Sequence, residues 1–538
     1  MSTKQLGGDA EAKLLADVSV DLAWALIERF ATLVRESGSA DEFAAADYIA
    51  AQLARLKIPH EVHQPTLFLS LPRSASVELD GGDGATTLVG KPPSFAASTG
   101  PAGLRAPAIH VPGAAMKDVT DLFEDHRAAG TEVRGKIVVS EGYAMPLAVQ
   151  RFERAGAAGQ VYINPGKRVH WGICTPIWGM PTDRTIELKP KTTVLAISRP
   201  DGDRLLDAMR SGLAHVTIRT ALEEGWYACK LPVARIAGAS DDFLLVHGHY
   251  DSWDVGIGDN AVGDATLLEL ARIFHAHKRK LRRSLLVAWW PGHSMGRYAG
   301  STWFADRFAM ELRQRCVAAL NIDSPGCQDA CAYEEVMWMA EADDLCRRAI
   351  QDATGVTPHR LRPIRAGDYS FNQLGLTSFF MLLSNIPRAE RDARGFYPVG
   401  GCGGNIAWHT EDDTLDVADR DSLARDLRVY VTTILRVLNA TILPFDYRAT
   451  LKEITQAVDG YRTQAGGLVD FSALDRELKQ LKAALRGLYA GLARAPRGAA
   501  AERANDMLKE LARILVPISY AAGERFDHDP ALPLGVVP

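Results

Sequence analysis

The sequence predicts an α/β fold on a mixed, mostly parallel sheet, and three apolar runs predict it. Residues 243–249 read FLLVHGH, residues 284–290 read SLLVAWW, and residues 316–322 read CVAALNI. Near-continuous Val, Leu and Ala over so few residues is the mark of a parallel strand buried on both faces, where polar alternation disappears. Helical spacing follows the first run from Asn260 to about His277, and GRYAGSTWF after the second reads as the start of another helix. In open sheets of this kind the ligand crevice lies beyond the carboxyl ends of the strands.

The residues at those ends are the ones a divalent cation needs. The first run ends in His249 and continues through Asp251 and Asp254 to Asp259. His249 and Asp251 stand two apart, so one can ligate through a ring nitrogen while the other accepts the remaining ring N–H and fixes the tautomer. Asp259 falls in a Gly/Asp/Asn turn directly before the helical segment, where helix cap and metal ligand are equally good readings. The second run ends in Pro291-Gly-His293-Ser294-Met295, and the third ends in Asp323. Far downstream a glycine-rich loop, GGCGGNIAWH, ends in His409 and precedes Glu411, Asp412 and Asp413. His and Asp gathered at strand ends are what metal-assisted catalysis requires.

The order of these motifs over nearly the whole chain resembles the zinc-dependent exopeptidases of the M28 family, the aminopeptidase Y and glutamate carboxypeptidase type. The resemblance implies a one- or two-metal site, zinc or else manganese, with His249, Asp259, Asp323 and His409 as ligands and Asp251 orienting His249. The segment WHTEDDTLD around His409 is like the family's HT-x-x-D-T. The departure lies at the family's Glu-Glu pair, where ungapped alignment from Trp290 to Gly296 puts His293 at the general base and Ser294 at a metal-binding Glu. A hydroxyl is a poor substitute ligand. His293 is therefore read as the base, since its ordinary pKa suits proton transfer near neutrality, or as a ligand of a second metal.

Composition agrees with a large globular enzyme. At 538 residues, 47% hydrophobic and 24% charged, the chain exceeds one core and suggests three or four domains. A net charge of −5 argues against nucleic acid or an anionic membrane as principal partner. No run approaches the ~18 apolar residues of a membrane helix, and the N-terminus MSTKQLGGDAEAK lacks a secretory pattern, so the expected compartment is the cytoplasm. Seven cysteines without a CxxC pair fit reduced thiols.

Composition changes divide the chain. Residues 1–65 begin a discontinuous catalytic domain, with Ser39-x-x-Glu42 as a capping box before FAAADYIAAQLARLKI. Residues 66–220 turn to short strands and Gly/Pro turns around one clear unit: GKIVVSEGY, a helix through AVQRFERAGAAG, then QVYINPG. This stretch resembles the protease-associated domain inserted in many family members. Its loop at residues 168–183, with His170, Trp171 and Trp178, is expected either to cover the cleft or to pack at a domain interface. The catalytic domain resumes over residues 221–443. Residues 444–538 are helical, with Leu, Ile and Ala spacing at 451–461 and 474–492. The resemblance implies a homodimer through this region.

For substrate the segment RAGDYSFNQLGLT resembles the family's S-D-H-x-x-F stretch, with Asp368 and Tyr369 at the Asp-His positions. Arg365, with Arg388, Arg391 and Arg394, is a candidate anchor for a carboxylate. Trp408 stands where it would line the pocket. The leading expectation is a metal-dependent hydrolase of an amide or peptide bond in a small molecule or short peptide. Two others remain: a metal-dependent lyase with His293 as base, and a catalytically inactive receptor-like protein.

Overall fold

Two sheets organise residues 8–79, 86–114, 116–123 and 131–533, which the structure, a computed structural model, describes. The extreme N-terminus, read above for a leader, lies in part outside them. The central sheet runs His60–His63, Leu231–Ile236, Arg283–Trp290, Ser240–His249, Cys316–Asn321, Ser378–Phe379. The first two pairings are antiparallel and the other three parallel. The three apolar runs are thus its adjacent parallel centre. His249 pairs with Trp290 and His247 with Asn321, so all three strands leave the sheet along one edge.

Both faces of these strands are covered, which is why their sequences do not alternate. Phe243, Leu245, Leu286, Ala288 and Trp290 pack with Phe304, Leu312 and Phe371 on one side. Leu244, Val246, Leu285, Val287 and Trp289 meet helix Val262–Ala276 on the other. That helix lies between the sheet and helices Asp21–Phe30 and Arg420–Asn439, so nearly every side of it is buried. Helix Ala40–Arg55 begins as expected: Ser39 Oγ accepts from Glu42 N at 3.1 Å. Glu42 returns its bond one residue early, to Gly38 N at 2.8 Å.

The second sheet has seven strands, ordered Thr86–Gly90, Thr66–Leu79, His215–Ala228, Leu104–His110, Ile137–Glu141, Gly159–Ile163, Thr193–Ile197. Thr66 pairs with Ala228 and Leu79 with Val216, so the chain leaves the central-sheet region and re-enters it at one place. The expected strand–helix–strand unit is present, but its helix is Pro146–Arg154. Proline opens it where the missing N–H costs nothing, and Gly156 at φ 87° ends it in the left-handed conformation.

Helices Tyr447–Ala465, Ser472–Leu492 and Ala499–Tyr520 complete the chain. The last buries Leu508, Ala512, Leu515 and Val516. Its Arg513 donates to the carbonyls of Cys316 (2.6 Å) and Gly375 (2.8 Å), tying it to the central sheet. Among the described residues no helix is long and apolar enough to cross a membrane.

Candidate metal centre and cleft

Ligand-type atoms of His249, His293 and Asp323 lie within 4.8 Å of one another at the shared strand edge. His249 Nε2 is 3.0 Å from Asp259 Oδ1 and 3.8 Å from Asp323 Oδ2. Its Nδ1 is 3.0 Å from the Asp251 carbonyl, nearer than the 3.6 Å to that residue's carboxylate. His409, with φ 58°, places Nδ1 at 2.9 Å from the Trp171 carbonyl and Nε2 at 3.1 Å from Asp259 Oδ2. A carbonyl only accepts, so each Nδ1 carries a hydrogen, and in a neutral ring each Nε2 is then a lone pair. Both lone pairs face carboxylate oxygens, which also only accept.

Such an arrangement calls for a cation. His249 Nε2 and Asp259 Oδ1 are buried and make no hydrogen bond, although they are in contact. The electrostatics show that this place favours positive charge, whether a proton on His249 or a metal ion. Burial raises the Asp323 pKa and the Asp259 carboxylate raises it further. Burial would raise Asp259 too, but His249 and His409 hold it well below the usual range. Burial disfavours a charged His249, yet Asp251 and Asp259 outweigh it and lift its pKa. The mixed nitrogen and oxygen donor set fits zinc.

Supporting bonds come from residues outside the four read as ligands. Asn260 donates to the carbonyls of His249 (3.2 Å) and Ile322 (2.9 Å) and accepts from Ser324 N, joining two strand ends. Asp413 accepts from Gly258 N (2.6 Å) and Asp259 N (3.0 Å), which fixes the Asp259 turn. In the sequence Asp413 reads only as part of an acidic run, although the D of HT-x-x-D-T is the signal that marks it. The Asp251 carboxylate accepts from Ser37 Oγ (2.9 Å), His293 N (3.1 Å) and Ser294 N (2.9 Å), so it secures the turn carrying His293.

His293 has its own carboxylate. Its Nδ1 is 2.8 Å from Asp368 Oδ2, and Asp368 Oδ1 accepts from Ser301 Oγ at 2.6 Å. The rings of His293 and His249 stack at 3.8 Å and 15°. Stacked imidazoles direct their nitrogens side by side rather than toward a common point, so His249 and His293 would not hold one ion together in relaxed geometry, despite the short distances.

The cleft beside this cluster is lined by Tyr143, Trp171, Tyr298, Met381 and Trp408 among others. Trp408 stacks on His409 at 3.7 Å. The loop at residues 168–183 serves both expected purposes. Trp171 clasps His409 and reaches the cleft, while Trp178 packs against Tyr298 at 4.3 Å and donates to Ser370 Oγ.

Three of the substrate-binding expectations need correction. Asp368 is bonded to His293 and Ser301 instead. Tyr369 is buried among Met337, Met381 and Tyr143, with no place in the cleft lining. Arg365 is buried against Trp178 (3.8 Å), and its donors go to the carbonyls of Asp529 and Pro530 at 2.5 and 3.2 Å. Arg391 and Arg394 pair with Glu335 (2.7 Å) and Asp329 (2.8 Å). The arginine that does line the cleft is Arg297, in the GRYAGSTWF stretch expected to start a helix.

The chain thus presents an α/β domain whose mostly parallel sheet brings histidines and aspartates together in a cation-fitting cluster at its carboxyl edge. Residues 233–434 match the model of Peptidase family M28. The chain is 26% identical over 240 residues to the probable glutamate carboxypeptidase VP8 of Zea mays, a match covering 40% of this chain and 31% of that protein. It is 26% identical over 279 residues to aminopeptidase NAALADL1 of Mus musculus, covering 45% and 36% respectively. The matches thus span about a third of the length of these relatives. Among solved structures, the aminopeptidase from Aneurinibacillus sp. strain AM-1 superposes with a TM-score of 0.57 at 19% identity, over 82% of this chain and 96% of that one. The zinc aminopeptidase BSAP of Bacillus subtilis gives 0.56 at 17% identity, over 77% and 94%. These two likenesses show a shared fold.

Proposed function

We propose that the protein hydrolyses an amide or peptide bond in a small substrate, with His249, Asp259, Asp323 and His409 holding a divalent cation and His293 moving the proton. The observation that carries this reading is the pairing of two functions at one strand edge. Bare imidazole lone pairs face buried carboxylates, and beside them stands a histidine held by a carboxylate of its own. When bound, the cation, zinc or else manganese, supplies Lewis-acid polarisation of the scissile carbonyl and acidifies water.

The residues of the chain supply the rest. Asp368 keeps the hydrogen on Nδ1 of His293 and leaves Nε2 as the basic atom. His293 takes a proton from the attacking water as oxygen bonds to the carbonyl carbon, and Asp368 stabilises the imidazolium formed. As the C–N bond breaks, the same proton passes to the departing nitrogen, giving a carboxylic acid and an amine. Where the family has a glutamate, a histidine and aspartate pair would perform the transfer.

Metal stoichiometry on protein purified without added metal, with turnover of the His293→Ala variant, tests this. Turnover lost with metal retained supports the assignment; metal lost with turnover makes His293 a ligand of a second ion. Products lacking one added water would replace hydrolysis by elimination, with His293 abstracting a carbon-bound proton. The match to transferrin receptor protein 1 of Gallus gallus, 22% identical over 344 residues, leaves a receptor-like role as the outcome if no metal binds.

We further read residues 66–220 as a protease-associated-like insert, supported by the strand–helix–strand unit at 137–163. The C-terminal helices are read as a dimer surface. Met507, Ile514 and Ile518, exposed by 52, 58 and 47%, lie on the outer side of helix Ala499–Tyr520, seven and eleven residues apart along one stripe.

A further inference from the structure

We propose that Arg297 is the anchor for a free carboxylate of the substrate, so that the cleft takes N-acylated amino acids or peptides through their carboxylate end rather than through a free amine. This inference deepens the hydrolase reading above and rests on it.

Arg297 lies four residues beyond His293 and lines the same cleft. It is only 3% exposed. Its Nε and Nη2 are buried and have no hydrogen-bond partner among the described residues. The other buried arginines are held by acceptors of this chain: Arg391 by Glu335 and Arg436 by Glu11 and Asp352, each with one nitrogen left over, and three more by main-chain oxygens. Arg35 donates to the carbonyls of Tyr250, Val255 and Gly256 at 2.7 to 2.9 Å, and Arg283 and Arg513 likewise bond to carbonyls. A guanidinium withdrawn from water without an acceptor is costly, so its retention beside reacting groups points to an acceptor that arrives with the substrate.

The backbone holds Arg297 in place against local preference. Arg297 has φ 48° and Tyr298 φ 71°, two successive non-glycine residues in the left-handed region. Gly179 N donates to the Arg297 carbonyl at 2.6 Å, and Tyr298 Oη accepts from Gly367 N at 3.0 Å. The guanidinium rests 4.9 Å from the Tyr298 ring centroid. Such over-determined conformations recur at ligand clamps.

Charge in the cleft gives the direction of preference. Its described acids are Asp259 and Asp323, both in the cation cluster, so no carboxylate is left to receive a substrate ammonium. The other cation, Lys91, is paired with Glu411 at 2.9 Å. That leaves one planar fork of donors, whose shape matches a carboxylate. Phe123, Met145 and Met381 supply apolar surface for the neighbouring side chain.

The test compares benzyloxycarbonyl-Gly-Phe, its C-terminal carboxamide, and phenylalanine p-nitroanilide with its free amine, on the wild type, Arg297→Met and Arg297→Lys. The wild type should prefer the acid to the carboxamide in kcat/KM by about ten- to a hundredfold, the worth of a charge-assisted pair. Arg297→Met should close that gap, chiefly through KM, and Arg297→Lys should reopen part of it. Preference for the p-nitroanilide, or an equal loss on acid and carboxamide in Arg297→Met, would overturn the assignment while leaving the hydrolase reading intact. If none of the three is cleaved, the hydrolase reading is the one in difficulty, and calorimetric binding decides Arg297 separately. Tighter binding of the acid by the wild type, lost in Arg297→Met, upholds the anchor, whereas equal binding of acid and carboxamide removes it.

Discussion

His293 Nδ1 and Asp368 Oδ2 stand 2.8 Å apart, joining a turn at a strand end to a loop 75 residues further along the chain. The carboxylate can only accept, so it keeps the hydrogen on Nδ1 and the lone pair on Nε2. An asparagine at 368 can present its NH₂ instead, which reverses the tautomer. Asp368→Asn is expected to lower kcat by about ten- to a hundredfold, the usual effect of losing such an orienting partner, with metal content unchanged. Steady-state kinetics with metal analysis on the same preparation checks this. An unaltered kcat would reduce Asp368 to a packing role.

Asp413 aims both carboxylate oxygens at the main chain of the Asp259 turn. Replacing one oxygen by NH₂ sets a donor against a donor. Asp413→Asn should weaken metal retention by about ten- to a hundredfold in competition with a chelator. Asp412 faces outward to Arg168 at 2.8 Å, so Asp412→Asn serves as the comparison and should retain metal normally. Equal retention by both variants would contradict the role given to Asp413.

His170 is buried between the Trp408 carbonyl (2.6 Å) and Tyr397 Oη (2.9 Å). Burial pushes its pKa down from 6.5 to about 3. Between those values the unfolded chain binds a proton that the folded one refuses, so the stability contributed is complete above pH 6.5 and drains away as pH falls toward 3. The slope approaches about 1.4 kcal/mol per pH unit for one such group. His170→Gln should therefore lose less stability than the wild type between pH 7 and 4.5, measured by thermal or urea unfolding. Parallel curves would show that His170 does not titrate as described.

Ile514 is 58% exposed in the outward stripe of the last long helix. If that stripe pairs two copies, Ile514→Glu places a charge in an apolar interface and should convert dimer to monomer in sedimentation velocity, with the circular dichroism spectrum unchanged. A wild-type protein that sediments as a monomer would end the dimer reading.

The three central strands and their terminal residues His249, His293 and Asp323 were legible because each signal is local: an apolar run, then a polar stop. Ser39 as a helix cap, the strand–helix–strand unit in the second sheet and the helical character of the C-terminal region were legible for the same reason. Less visible was Asp413: the HT-x-x-D-T pattern marks the residue, but not the main-chain N–H groups of Gly258 and Asp259 on which its carboxylate acts. The arginines show the limit most clearly. Arg365 lay in a recognisable segment and proved to be covered by the carbonyls of Asp529 and Pro530, some 165 residues away. Arg297 lay in a stretch read as a helix start and faces the cleft.

By itself, then, the sequence determined which strands form the centre of the sheet and which ligand-type residues stand at their carboxyl edge, because both follow from short-range periodicity and the alternation of strand and helix. Tertiary structure alone decided the partners. Asp368 meets His293, the Trp171 carbonyl of the second sheet's region meets His409, and Nε and Nη2 of Arg297 are left without an acceptor among the described residues, because hydrogen-bond partnership depends on atoms brought together across long stretches of chain and often on main-chain groups that every residue carries alike.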